Sequence, residues 1–273
     1  CPRNRPRRRL QRRRPDRWAR AMRFPRQIDA FVAALTLALG AAACSAVPAG
    51  DEPAGPKPDV GFFSTLPIYW GEGAFGAMLD GSAKPDWVRE EMETRLTMVP
   101  LDTLEAEALA GLRRVVLAQP RALAPSENMA FDAWVRKGGR AVIFADPMLT
   151  RHSHYPIGDR RRPQDVVLLS PILDHWGLTL TFDDAQPAEE QSVALNGVDI
   201  PVRLAGRLQL APAPAAGDCT LNADGLAARC AIGDGHVLVI ADAAVFDWEG
   251  DAPAPPERRA ALWQTLATLL SGK

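Results

Sequence analysis

The sequence predicts an α/β fold, a three-layer sandwich of helices around a sheet with a small β-hairpin insertion. Val115–Ala118 and Ala141–Ala145 are short apolar runs, as expected of buried strands. An amphipathic helix that starts near Ser126 lies between them, which gives a strand–helix–strand unit with a parallel strand pair. A third buried run, His236–Ile240, precedes the long amphipathic helix Pro256–Leu270.

The elements before this unit are short. The predictions there are a strand at Val60–Ser64, helical pieces at Phe75–Leu79 and Trp87–Glu93, a strand at Leu96–Pro100, and a turn or helix at Leu101–Ala110.

The elements after the unit begin with a long loop, Met148–Gln164, rich in Arg, Pro and His. Such a length is unusual in a compact domain and indicates a functional or mobile segment. Pro171–Trp176 is then predicted as a helix that ends at Gly177, and Leu178–Phe182 as a strand. Short alternating runs and many turn residues predict a β-rich insertion at about 185–231.

The first 58 residues carry predicted export signals rather than predicted strands or helices. Residues 1–21 are Arg- and Pro-rich and are interpreted as a non-native upstream segment. Residues 22–43 read as a signal peptide, with Arg23 and Arg26 before an apolar run that is too short for a comfortable transmembrane span. Leu39-Gly-Ala-Ala-Ala-Cys44 resembles a bacterial lipobox, so Cys44 is the predicted lipidation site and residues 44–58 the linker. The alternative is an ordinary cleaved signal followed by a chance cysteine.

This signal predicts a lipid-anchored protein at the periplasmic face of a bacterial membrane. Ser45 after the cysteine favours the outer membrane in a Gram-negative host. The membrane, reached through the lipid, is thus one predicted partner.

Charge argues against a polyanionic partner. Residues 1–43 hold 12 Arg and 2 Asp, which leaves 20 basic and 31 acidic residues in residues 44–273, a net charge of −11. A field of that sign repels DNA and RNA, so no nucleic-acid partner is expected. Gly71-Glu-Gly-Ala-Phe-Gly76 matches a dinucleotide-binding pattern, but Pro67 separates it from the preceding strand, and no cofactor is predicted.

The two remaining cysteines of the mature chain form a predicted disulfide. Cys219 and Cys230 lie in short extended segments on either side of the turn residues Asn222 and Asp224-Gly225. In an oxidising compartment a bridge across a hairpin is the simple interpretation, and a zinc pair would need further ligands nearby.

Three stretches of sequence resemble the GldG-like family of auxiliary domains of ABC-type transport systems. They are Val135–Pro147, Leu169–Leu178 and Gly233–Ala243. The resemblance implies a flavodoxin-like sheet similar to that of class I glutamine amidotransferases, and transporter subunits as partners. It does not carry over a catalytic cysteine, since the chain has no Gly-x-Cys-x-Gly or Gly-x-Ser-x-Gly sequence, and no catalytic residue is assigned.

In open α/β sheets, ligands bind in the crevice beyond the carboxyl ends of the strands. The polar and aromatic residues predicted to line that crevice are Ser64, Thr65, Trp70, Glu72, Gln119, Arg121, Asp146 and Asp242. His152 and His154 in the long loop are weak candidates for metal ligands, against the alternative of a solvated polar loop.

The predicted function is a non-catalytic accessory or binding module associated with an ABC-type transport system. Two alternatives stay open: an exported hydrolase or amidotransferase-like enzyme, and a small-ligand or glycan-binding lipoprotein that uses Trp70 as a stacking platform.

Overall fold

The structure is a computed structural model that describes residues 56–72, 85–212, 215–248 and 252–270. The predicted signal peptide, Cys44, the linker up to residue 55 and the Phe75–Leu79 piece therefore lie outside the described residues. The strands are β1 (Asp59–Ser64), β2 (Thr97–Pro100), β3 (Arg114–Ala118), β4 (Arg140–Phe144), β5 (Leu178–Phe182), β6 (Gln191–Leu195), β7 (Val198–Val202), β8 (Gly206–Leu210), β9 (Asp218–Asn222), β10 (Ala227–Ile232) and β11 (Gly235–Ile240). The helices are α1 (Trp87–Glu93), α2 (Ala106–Leu109), α3 (Pro125–Arg136), α4 (Ser170–Trp176) and α5 (Pro256–Leu270).

The central sheet has seven strands in the order β2-β1-β3-β4-β11-β10-β9. The first five are parallel, and β10 and β9 are added antiparallel at one edge. The parallel strands β2-β1-β3-β4-β11 follow the order 2-1-3-4-5 when they are numbered among themselves, which is the doubly wound order of flavodoxin-like folds. The switch point of this order lies between β1 and β3. The predicted fold class is confirmed.

Both faces of the sheet are covered. α1, α5 and the hairpin β6–β7 bury one face, in a cluster that includes Met92, Leu262 and Ile200. α2, α3, α4 and the β5–β8 pair bury the other, with Phe131 and Trp176 among its largest side chains. Because both sheet faces are buried, the parallel strands read as continuous apolar runs rather than as alternating ones.

Helix α3 begins differently from the prediction. Pro125 is its first residue, so Ser126 is not the cap, and the Ser126 hydroxyl donates to Glu105 Oε1 at 2.6 Å. The Glu127 carboxylate takes the capping role and accepts from the Ala124 backbone N–H at 2.8 Å. The helix ends close to the sheet: a side chain at Gly235 would place its Cβ 2.0 Å from Val135 O, so only glycine fits there.

The segment predicted as an insertion is divided between three places. The hairpin β6–β7 lies on the α5 side, β8 pairs with β5, and β9 and β10 extend the central sheet. The predicted disulfide is confirmed between Cys219 and Cys230, which are opposite residues of β9 and β10 with Cα atoms 4.0 Å apart. Among the described residues, no helix has the length and apolarity needed to cross a membrane.

Candidate functional site

The predicted crevice lies at the carboxyl edge of the sheet. Ser64, Gln119, Asp146 and Asp242 are at or just after the ends of β1, β3, β4 and β11, which are successive parallel strands. Ser64 and Gln119 therefore flank the switch point, where ligands of doubly wound folds bind. The topology brings these four predicted residues to one edge, as expected.

The residues that end β1 use their hydroxyls on the backbone. Ser64 Oγ donates to Ala118 O at 2.7 Å and accepts from Leu66 N at 2.9 Å. Thr65 Oγ1 donates to Gln119 O at 2.5 Å and accepts from Gln164 N at 3.1 Å. Both hydroxyls thus tie β1 to its neighbour β3 at the switch point.

Gln119 has a strained backbone and a fully buried side chain. Its φ is +45°, a left-handed value that is uncommon for residues other than glycine. Its amide Nε2 donates to Asp146 O at 3.0 Å and to Gln164 O at 2.8 Å, and its Oε1 accepts from Asp146 N at 2.9 Å. A strained turn after a central strand is where enzymes of related architecture place a nucleophile. In this protein the residue at that turn is Gln119, and its carboxamide links the end of β3 to the end of β4 by hydrogen bonds.

Asp146 and Asp242 are both buried and both hold turns. Asp146 accepts from Met148 N at 2.8 Å and from Ala243 N at 3.1 Å, so it links the ends of β4 and β11. Asp242 accepts from Ala244 N at 2.6 Å and from Arg203 N at 2.9 Å. Four backbone N–H groups are therefore satisfied by two carboxylates.

The same burial disfavours charge on these carboxyls. Desolvation raises the pKa of Asp146 to about 7, with a further contribution from the negative charge of Asp247. The pKa of Asp242 is raised well above its usual range, mainly by desolvation and next by the negative charge of Asp146.

Asp247 is a third carboxyl of this group, and the sequence analysis missed it. Its carboxylate accepts a hydrogen bond from Thr150 Oγ1 at 3.0 Å. It follows the short helical turn Ala244–Phe246, and nothing in the pattern marked it as part of the crevice.

Arg121 is paired with Glu127 at the start of α3. Its guanidinium binds both carboxylate oxygens of Glu127 at 2.8 Å and stacks over the Phe63 ring at 4.9 Å. Glu127 also accepts from Ala124 N and Leu104 N. The hydrogen bond with Arg121 is the largest cause of the lowered pKa of Glu127, which is about 2. This pair fixes the start of α3.

The long loop covers the crevice, which the sequence did not predict. Besides its contacts with Thr65 and Gln119, the loop donates from His154 N to Glu72 Oε2 at 2.8 Å. Arg151, nearly buried, pairs with Asp86 at 2.5 Å at the start of α1. We call residues Met148–Gln164 the cover loop, because the loop hydrogen-bonds with Thr65, Gln119 and Glu72 of the predicted site.

Trp70 and Glu72 are at the margin of the cover loop. The Trp70 side chain is 63% exposed and contacts the Tyr69 ring edge-on, with centroids 4.8 Å apart. Gly71 and Glu72 are described, while the remaining residues of the glycine pattern lie outside the described residues.

The histidine rings of the cover loop are close to each other. Their centroids are 5.4 Å apart. Within residues 56–72, 85–212, 215–248 and 252–270, no group of three or more His, Cys, Asp or Glu side chains is arranged to hold a metal ion.

The protein is a flavodoxin-like three-layer α/β domain whose own loop is hydrogen-bonded to the residues of its switch-point crevice. No family model matches the chain, and no curated protein matches its sequence.

Several solved structures are similar in fold. The exo-β-1,4-mannosidase Op5Man5 from Opitutaceae bacterium strain TAV5 aligns at 13% identity and a TM-score of 0.47 over 80% of this chain and 37% of that chain. A β-galactosidase from Rahnella sp. R3 aligns at 14% and 0.42, over 79% and 31%. A ThuA-like protein from Bacteroides uniformis ATCC 8492 aligns at 9% and 0.44, over 83% and 96%. The chain spans about a third of the two glycosidases, and similarity at this level carries no argument about function.

Proposed function

We propose that this chain is a lipid-anchored accessory module on the periplasmic face of a bacterial membrane, acting by binding and associated with an ABC-type transport system. The anchor is Cys44, and the transporter association follows the GldG-like resemblance of three sequence stretches.

One observation carries the binding role: the polar groups of the crevice are engaged with the protein's own backbone. Ser64, Thr65, Gln119, Asp146 and Asp242 each accept or donate at least two such hydrogen bonds. Catalytic groups need free lone pairs or protons directed at a substrate. Side chains that hold turns instead make a rigid support, as a docking module requires.

A pull-down tests this proposal. The protein is expressed from Met22 and recovered from detergent-solubilised membranes, as wild type and as Cys44→Ala. We expect wild type to fractionate with membranes and to bring down permease or ATPase subunits, and Cys44→Ala to lose membrane retention. A membrane-bound wild type without any transporter subunit would remove the transporter association, and equal solubility of the two forms would remove the lipid anchor.

A hydrolase is the second candidate, because the raised pKa values of Asp146 and Asp242 are of the kind found among catalytic acids. The hydrolase would be favoured by activity against glycoside or ester substrates that disappears in Asp146→Asn while circular dichroism shows that the variant keeps its fold.

A glycan-binding role is the third candidate, supported by the exposed Trp70 side chain. Glycan binding that is lost in Trp70→Ala would favour that role.

A further inference from the structure

The outer side of the cover loop and its continuation present a group of exposed apolar and arginine side chains. Ile157 is 88% exposed, Leu168 55% and Val166 48%. Arg160 is exposed and has no hydrogen bond or ion pair with any described residue. The guanidinium of Arg161 pairs with both carboxylate oxygens of Asp159, at 3.0 and 2.7 Å, and lies over the Tyr155 ring at 4.2 Å; its side chain is 67% exposed. We call Ile157, Arg160, Arg161, Val166 and Leu168 the outer patch.

The backbone explains why these side chains point outward. Asp159 N donates to Pro156 O and Arg162 N to Asp159 O, so two consecutive turns form the tip of the loop. Gly158, with φ of +89°, permits the reversal that leaves Ile157 at the tip. Downstream, Val167 and Leu169 are buried while Val166 and Leu168 are exposed, an alternation that places the latter two on one outer side.

The charge of this segment is opposite to that of the domain. Residues 148–168 contain four Arg and two Asp, whereas residues 44–273 together carry a net charge of −11. Arg151 pairs with Asp86, Arg161 with Asp159 and Arg162 with Asp165. Arg160 therefore carries the one arginine charge of this segment that no described carboxylate neutralises. A cationic segment with protruding apolar side chains on an acidic domain is complementary to a surface that is both anionic and apolar beneath its charges.

We propose that the outer patch contacts the surface of a membrane containing anionic phospholipid, and so fixes how the domain sits on the bilayer. Ile157 inserts among the headgroups, while Arg160 faces a phosphate group. A lipid surface fits better than a folded protein, because Ile157 protrudes alone at a turn. A fluid interface accepts a single protruding side chain without a matching pocket, whereas a stable protein interface needs about 1,200 Å² of complementary surface.

The position of the lipid anchor in the proposed function makes this contact reachable. The 15 residues from Cys44 to Pro58 span at most about 50 Å when extended. β1 starts at the amino edge of the sheet and, at six residues, is about 20 Å long, so the carboxyl edge is within that reach. The outer patch then selects one orientation of the domain on the bilayer. This last step rests on the proposed lipid anchor; the affinity of the patch for lipid does not.

Vesicle partitioning of a chain that begins at Ser45 tests the patch without the anchor. Every described strand and helix lies at Asp59 or beyond, so this chain keeps the whole described fold. We expect sedimentation with vesicles of phosphatidylcholine and phosphatidylglycerol at 7:3, little binding to phosphatidylcholine alone, and weaker binding as salt is raised. Each arginine at such a surface contributes about fivefold in partitioning. The variant I157S/R160S should therefore bind at least tenfold more weakly than wild type.

The matched control is M129S/R113S, which removes one exposed methionine and one exposed arginine elsewhere on the surface. It should bind like wild type. Equal binding of wild type and I157S/R160S, an equal loss in the control, or binding that ignores phosphatidylglycerol would each overturn the proposal. A failed anchor shows itself separately, in the membrane retention of the Met22 form and its Cys44→Ala variant at high salt.

Discussion

The two sides of the cover loop differ in what their residues do. On the inner side, Gln164 makes hydrogen bonds with Thr65 and Gln119, and the polar groups around it are buried and paired. On the outer side, Ile157 and Arg160 make no such contacts and are open to solvent. One segment thus has an inner side committed to stability and an outer side available for recognition. A recognition site of this protein is therefore better sought on the outer side of the cover loop than in the crevice beneath that loop.

The contrast predicts very unequal mutational effects. Inner-side changes should cost stability because they leave buried polar groups without partners. Outer-side changes should leave stability almost untouched and alter only association with other surfaces.

The largest effect is expected at Gln119. Gln119→Ala removes three hydrogen bonds and leaves Asp146 N buried without a partner, so the free energy of unfolding should fall by about 2–4 kcal/mol. The measurement is urea denaturation followed by tryptophan fluorescence.

Gln119→Gly is the matched control for backbone strain. It loses the same hydrogen bonds but relieves the positive φ, so it should be about 1 kcal/mol more stable than Gln119→Ala. If the two variants are equal in stability, the strain at this turn is not real. If neither differs from wild type, the inner side is not committed to stability and the contrast fails.

A smaller, pH-dependent effect is expected at Asp146. Its pKa in the folded state is about 7, above the ordinary value of 3.8, so the folded state holds a proton that the unfolded state has released between these values. Stability should therefore fall as pH rises from about 4 to about 7, by roughly 1–3 kcal/mol. In Asp146→Asn this fall should be weaker but not absent, because Asp242 keeps a raised pKa through desolvation.

Asp159→Asn is the control for the pH experiment. The pKa of Asp159 is lowered to about 2 by its hydrogen bonds with Arg161, so its contribution is lost only as pH falls below about 4. The change in unfolding free energy between pH 4 and 7 should then be the same in Asp159→Asn as in wild type. A wild-type stability that rises steadily over this range would contradict the raised pKa of Asp146.

Much of this arrangement could be predicted from local sequence. The bounds of α5 and the paired Cys219 and Cys230 come directly from periodicity and turn residues, and the order of buried runs predicts the layered fold. Runs of apolar residues indicate which segments are buried strands, and these runs were enough to predict that Asp146 and Asp242 follow strand ends. What these side chains do there depends on partners far along the chain. Gln164 is 99 residues from Thr65, and Ala243, which donates to Asp146, is 97 residues from it. No local pattern encodes such pairings.

The smallest effect on stability is expected on the outer patch, and it is the one that separates the two sides of the loop. I157S/R160S removes no described hydrogen bond or ion pair, and the Ile157 side chain is 88% exposed. Its unfolding free energy should lie within about 0.5 kcal/mol of that of wild type, in the same urea experiment that reports the loss in Gln119→Ala. A variant that loses vesicle binding while keeping wild-type stability would place recognition on the outer side alone. A loss of several kcal/mol in I157S/R160S would mean that the tip of the loop also supports the fold, and the two sides could no longer be treated as separate.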